Sequence, residues 1–79
     1  MTELEQLRTE IDRIDTQIAK NVKMRLDIVK LIGRIKKQNG TAITDSDREK
    51  IVIKNFTDIA GKNTESIIKT IIEVSKKEE

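Results

Sequence analysis

Residues 3–38, ELEQLRTEIDRIDTQIAKNVKMRLDIVKLIGRIKKQ, decide the fold. The stretch holds no proline and one glycine, Gly33. Its apolar residues recur at Leu4, Leu7, Ile11, Ile14 and Ile18, and again at Ile28, Ile32 and Ile35. All eight positions fall in one heptad frame, at its a and d sites, which predicts a single continuous helix. Asn39-Gly40 ends it, as a pair that tolerates left-handed backbone should. At ~1.5 Å per residue the helix is roughly 54 Å long. A compact chain of 79 residues has a diameter of only about 30 Å. Half of the helix would therefore stand in water with its leucines and isoleucines exposed. An intertwined homodimer resolves this: two long helices pair, and each chain's remaining segments cover the other's exposed part. A plain two-stranded coiled coil is the rival, but it leaves the downstream isoleucines without a partner.

Downstream, Thr41 to Thr44 reads as a short loop. Ser46 with Glu49 three residues later has the spacing of a capping box, and Asp45 is a rival cap. A second helix then runs to about Ala60, with Val52, Phe56 and Ile59 on its apolar side. Gly61-Lys62-Asn63 breaks the pattern, with Asn63 or Thr64 as the next cap. A third helix carries Ile67, Ile68, Ile71, Ile72 and Val74 and runs out in Lys76-Lys77-Glu78-Glu79. The fold class is all-α: one long and two short helices in a single domain, residues 1–79, forming an intertwined helical homodimer. A core this small is marginal alone, which also favours oligomerisation.

Composition narrows the chemistry. There is no His, Cys, Trp, Tyr or Pro, and Phe56 is the one aromatic residue. Thiolate nucleophiles, imidazole bases, disulfides and ordinary zinc, haem or iron–sulfur sites are excluded. No Asp/Asn-rich loop closed by Gly and Glu offers a calcium or magnesium site, so no metal is expected. Apolar runs are far too short to span a bilayer, and the acidic, periodic Met1–Glu5 is unlike a secretory signal. A cytoplasmic protein is the default expectation. Sixteen basic against 14 acidic residues give a net charge of +2, too balanced to point to nucleic acid.

The heptad frame fails in one informative place. The two positions after Ile18 in the frame are Asn21 and Arg25. An unpaired cation in an aliphatic seam is costly, so Arg25 must pair, extend to water or meet an anionic ligand. Fixing helix register is the plainer use of such a polar pair. Lys36 adds weight to the ligand. It lies eleven residues on, close to a whole number of turns, so Arg25, Val29, Ile32 and Lys36 share one stripe. The two cations have Cα atoms about 16 Å apart, within reach of one small ligand. Gly33 stands between them, where it costs about 1 kcal/mol against Ala; it is either simply tolerated or admits a close approach. Arg8 cannot join them from the same helix, being roughly 25 Å away and rotated by about 100°. If it serves the same site, it comes from the other subunit.

Leu7-Arg8, Ile11, Ile14-Asp15, Arg25, Gly33, Lys36 and the run Asp45-Ser46-Asp47-Arg48-Glu49 together resemble the all-α chorismate mutase family. Ile71-Ile72-Glu73-Val74-Ser75 resembles the last-helix motif of that family. The resemblance covers about residues 4–79 and is most specific over residues 7–49. It implies the intertwined three-helix dimer and the Claisen rearrangement of chorismate to prephenate, in phenylalanine and tyrosine biosynthesis. That reaction needs no cofactor, no metal and no covalent intermediate. The resemblance assigns Arg8 of the partner subunit and Arg25 to the two substrate carboxylates, and Lys36 to the ether oxygen and a carboxylate. It assigns Glu49, with the backbone near Asp45, to the ring hydroxyl, Arg48 to the hydroxyl and carboxylate side, and Ser75 to a carboxylate. The position where the family usually places an amide or acid donating to the ether oxygen falls on Glu79. Lys36, Arg25 and Glu79 are thus the candidate catalytic residues. On that assignment turnover should rise as the solution is acidified, and Glu79→Gln, which donates at any pH, should flatten the profile.

Bland readings stand beside each assignment. Arg8 is an ordinary surface charge near Glu5 or Asp12, Arg48 and Glu49 are a first-turn pair with a capping box, and Ser75 bonds back to its own helix. Glu79 frays into solvent. Lys20, Lys23, Lys30 and Lys76 read as solvated charges. Three other functions compete: an isochorismate-pyruvate lyase of the same fold, a non-enzymatic helical dimer regulator binding nucleic acid, and a coiled-coil adaptor. Interspersed charge and a single aromatic residue argue against the regulator, and Arg25 in the seam argues against the adaptor.

Overall fold

The computed structural model describes residues 2–40 and 46–79. The first helix, α1 (Glu3–Asn39), is one unbroken rod of 37 residues. Thr2 caps it in extended backbone, its hydroxyl accepting from the Glu5 N–H at 3.1 Å. Thr2-Glu3-Leu4-Glu5 has the spacing that such a start requires. Glu3 and Glu5 sit in the first turn and Lys36 and Lys37 in the last, each complementing the helix dipole. Gly40 stops the helix with φ +66°, its N–H reaching the carbonyls of Lys36 and Lys37.

The second helix, α2, spans Ser46–Ala60. The preceding Asp45 and the loop expected at 41–44 lie outside the described residues. Glu49, in the first turn of α2, pairs with Lys76. After Ala60 comes one 3₁₀ turn, Lys62–Thr64, and then α3 (Glu65–Glu78). Thr64 precedes α3 but gives it no side-chain cap; its hydroxyl donates to the Gly61 carbonyl at 2.6 Å.

α3 packs against both α1 and α2. Its buried residues, Ile68, Ile72 and Ser75, fall at helical spacing on one face. With Val29 of α1, the two isoleucines are the only buried apolar residues among those described. The chain measures 57 × 24 × 15 Å, because the first half of α1 extends beyond the other helices. Leu4, Leu7, Ile11 and Ile18 are each more than half exposed along it. That is the exposed stripe expected from helix length. Among the described residues no helix is long and apolar enough to cross a membrane.

Candidate active site

The second half of α1, the start of α2 and the end of α3 enclose a cleft of about 300 Å³. Arg25, Val29, Ile32 and Lys36, the stripe expected from the eleven-residue spacing, all line it. Arg48 and Glu49 enter from α2, and Ser75, Lys76 and Glu79 from the end of α3. Ile28, Val52 and Ile72 supply apolar wall. The size suits a small molecule.

Arg25 has a partner within its own chain. Its guanidinium donates to Ser75 Oγ at 2.5 Å, and that hydroxyl in turn donates to the Ile71 carbonyl at 2.7 Å. Ser75 therefore does bond back to its helix, and it also holds the cation of the seam in place. This satisfies the buried hydroxyl and fixes one end of the guanidinium fork.

Lys36 and Glu79 meet at the other end of the cleft, with Nζ 3.8 Å from Oε1. Their side chains are 21% and 13% exposed, so Glu79 is not frayed into solvent. Its backbone N–H donates to the Ser75 carbonyl at 3.2 Å, continuing the line of α3. Its Oε2 is buried without a hydrogen-bond partner among the described residues.

Gly33 explains how Glu79 comes so near. A Cβ at position 33 would stand 2.8 Å from the Glu79 carbonyl oxygen and 3.0 Å from its Cα. Real Cβ atoms do not approach that closely, so glycine admits the crossing of α1 by the end of the chain. Gly33→Ala is expected to leave α1 intact, since Ala is favoured there by about 1 kcal/mol, while pushing Glu79 off Lys36. Its kinetics should match those of a chain ending at Glu78. Parent-like kinetics in Gly33→Ala would mean that the contact has no bearing on activity.

Arg48 is exposed and lines the α2 side. Glu49 is half-buried, its Oε1 3.1 Å from Lys76 Nζ. Lys76 is thus no isolated solvated charge: it lines the cleft and bridges α3 to α2. The sequence held a signal for it, since Ile72, Lys76 and Glu79 follow i, i+4, i+7 spacing along one stripe. Four cations (Arg25, Lys36, Arg48, Lys76) face two carboxylates (Glu49, Glu79), which leaves the cleft positive. Arg8 lies outside it, exposed on the projecting half of α1. Asp45 lies outside the described residues. No cluster of three or more acidic side chains among the described residues is placed to hold a metal ion.

Fold and cleft together describe an all-helical protein with a cationic pocket of small-molecule size. The sequence model of the chorismate mutase type II family matches residues 7–79. The chain belongs to that family, whose members are isomerases. No curated protein and no solved structure matches it.

Proposed function

We propose that this chain is a chorismate mutase, a single domain over residues 1–79 that works as an intertwined homodimer and converts chorismate to prephenate. The observation that carries the reading is the cleft, where Arg25, Lys36, Arg48, Glu49, Ser75 and Glu79 converge from three helices. These are the positions to which the family resemblance assigned substrate contacts. The substrate is a dianion, and a guanidinium fork matches a carboxylate in both charge and shape. Arg25, held by Ser75, takes one carboxylate. Arg48 lies on the hydroxyl and carboxylate side, and Glu49 accepts from the ring hydroxyl.

The reaction is intramolecular, so these side chains act by holding the ether side chain over the ring and by meeting charge as it develops. The breaking C–O bond gathers negative charge on the ether oxygen. Lys36 stands ready to stabilise it without reorganisation. Glu79, beside Lys36, reaches the same oxygen. A carboxylate there opposes the growing charge, whereas an amide N–H would donate to it. Glu79→Gln is therefore expected to turn over severalfold faster than the parent at neutral pH. Equal rates at equal folding would leave Glu79 without a part.

Dimerisation completes both the fold and the site. Leu4, Leu7, Ile11 and Ile18 need cover, and each such side chain contributes about 1.5–3 kcal/mol once buried. A second, apolar groove of about 390 Å³ lies between α1 and the α2–α3 pair, walled by Ile18, Phe56, Ile67, Ile68 and Ile71. It offers the other chain's α1 a seat. The arrangement brings Arg8 of the partner subunit to the cleft as the second carboxylate-binding guanidinium. The product enters phenylalanine and tyrosine synthesis in the cytoplasm.

The substrate test is product analysis. Purified protein is expected to consume chorismate with stoichiometric prephenate, and to release no pyruvate from isochorismate. Pyruvate as the main product would favour the lyase reading, and inactivity on both with tight binding of nonspecific DNA would favour the regulator.

A further inference from the structure

Lys76 is the one cleft cation to which the family resemblance gives no task. Its Nζ lies 3.1 Å from Glu49 Oε1, and the pair joins α3 to α2 at the rim of the cleft. We propose that Lys76 is a positioning residue which sets the Glu49 carboxylate to read the substrate's ring hydroxyl; this rests on the chorismate reading above.

Three observations support it. A carboxylate in a cleft that must admit a dianion repels its own ligand. The Lys76 ammonium offsets that repulsion at the oxygen it touches. An ammonium fixed on Oε1 also restricts rotation of the carboxylate and leaves Oε2 as the acceptor for a hydroxyl. Finally, Lys76 stands on α3 one turn beyond the buried Ile72 and one residue beyond the buried Ser75, so the packing of that helix sets where its side chain starts. The two side chains remain 43% and 26% exposed, for Lys76 and Glu49 respectively. An ion pair that open contributes little to stability, so its effect on substrate can be separated from folding.

The chemistry that follows is selectivity. Chorismate and isochorismate carry their hydroxyl on different ring carbons. An acceptor locked in one place accepts one and is left unpaired by the other, which is how polar sites discriminate strongly. Lys76 therefore governs hydroxyl recognition rather than carboxylate binding or charge stabilisation at the ether oxygen.

The test measures kcat and KM for the parent, Lys76→Met and Lys76→Arg on two substrates, chorismate and its analogue with hydrogen in place of the ring hydroxyl. Lys76→Met is expected to lose about tenfold in kcat/KM on chorismate, chiefly through KM, the scale of one charge-assisted hydrogen bond. It should lose almost nothing on the deoxy analogue, and Lys76→Arg should recover most of the loss. Thermal melting checks folding, and Lys76→Gln repeats the comparison if Met disturbs the rim. Equal losses on both substrates would make Lys76 a general cation for the carboxylates and overturn the proposal alone, as would no loss on either. A parent inactive on chorismate would overturn this proposal together with the reading on which it rests.

Discussion

Lys36→Ala is expected to lose turnover by a factor of roughly 10²–10³ while remaining folded. A preplaced donor at a developing oxyanion is worth about 3–4 kcal/mol, because its charge acts on the transition state more than on the bound substrate. One of its partners is Glu79, 3.8 Å away and largely buried with it, so the variant should also melt somewhat lower. Removing the ammonium should lower kcat sharply and also raise KM, through the carboxylate contact that it shares. Steady-state kinetics beside a thermal melt give both numbers, and near-normal kcat in a folded variant would remove the electrostatic role.

Arg25→Ala should fail differently. The carboxylate that Arg25 holds carries its charge before, during and after the rearrangement, so its loss weakens substrate and transition state alike. A hydrogen bond to a charged group contributes about 1.5–3 kcal/mol, and a bidentate pair more. The expected result is a rise in KM and a fall in kcat, together about 10²–10³ in kcat/KM. Arg25 also donates to the buried Ser75, so the variant should melt somewhat lower. Ser75→Ala separates the two effects. It frees the guanidinium without deleting it, and should raise KM less than Arg25→Ala does. Identical KM values for Arg25→Ala and the parent would sink the carboxylate assignment.

The long helix and its stripe were legible because helical periodicity is a local property. Eleven residues bring Arg25 and Lys36 into line whatever surrounds them, and both line the cleft. The exposed Leu4-to-Ile18 run followed from length in the same way. Arg48, Glu49 and Ser75 were legible only through the family pattern, since nothing in their own neighbourhoods separates a cleft residue from a surface one. Lys76 was misread for a related reason. A lysine in the last turn of a helix is usually solvated, and only the packing of α3 against α2 brings it to Glu49. Gly33 was read as either simply tolerated or admitting a close approach. Its neighbour, the backbone of Glu79 forty-six positions on, is a tertiary contact that no local pattern encodes.

The central claim is that each active site is built from two chains, with Arg8 of the partner subunit completing a cleft that already holds Arg25, Lys36, Arg48 and Glu49. Arg8→Ala and Lys36→Ala homodimers should each be nearly inactive. When the two are mixed, unfolded and refolded together, a heterodimer contains one doubly damaged site and one intact site. Isolated heterodimers are expected to regain about half of the parent's turnover per dimer. Verified heterodimers no more active than either homodimer would contradict the shared site.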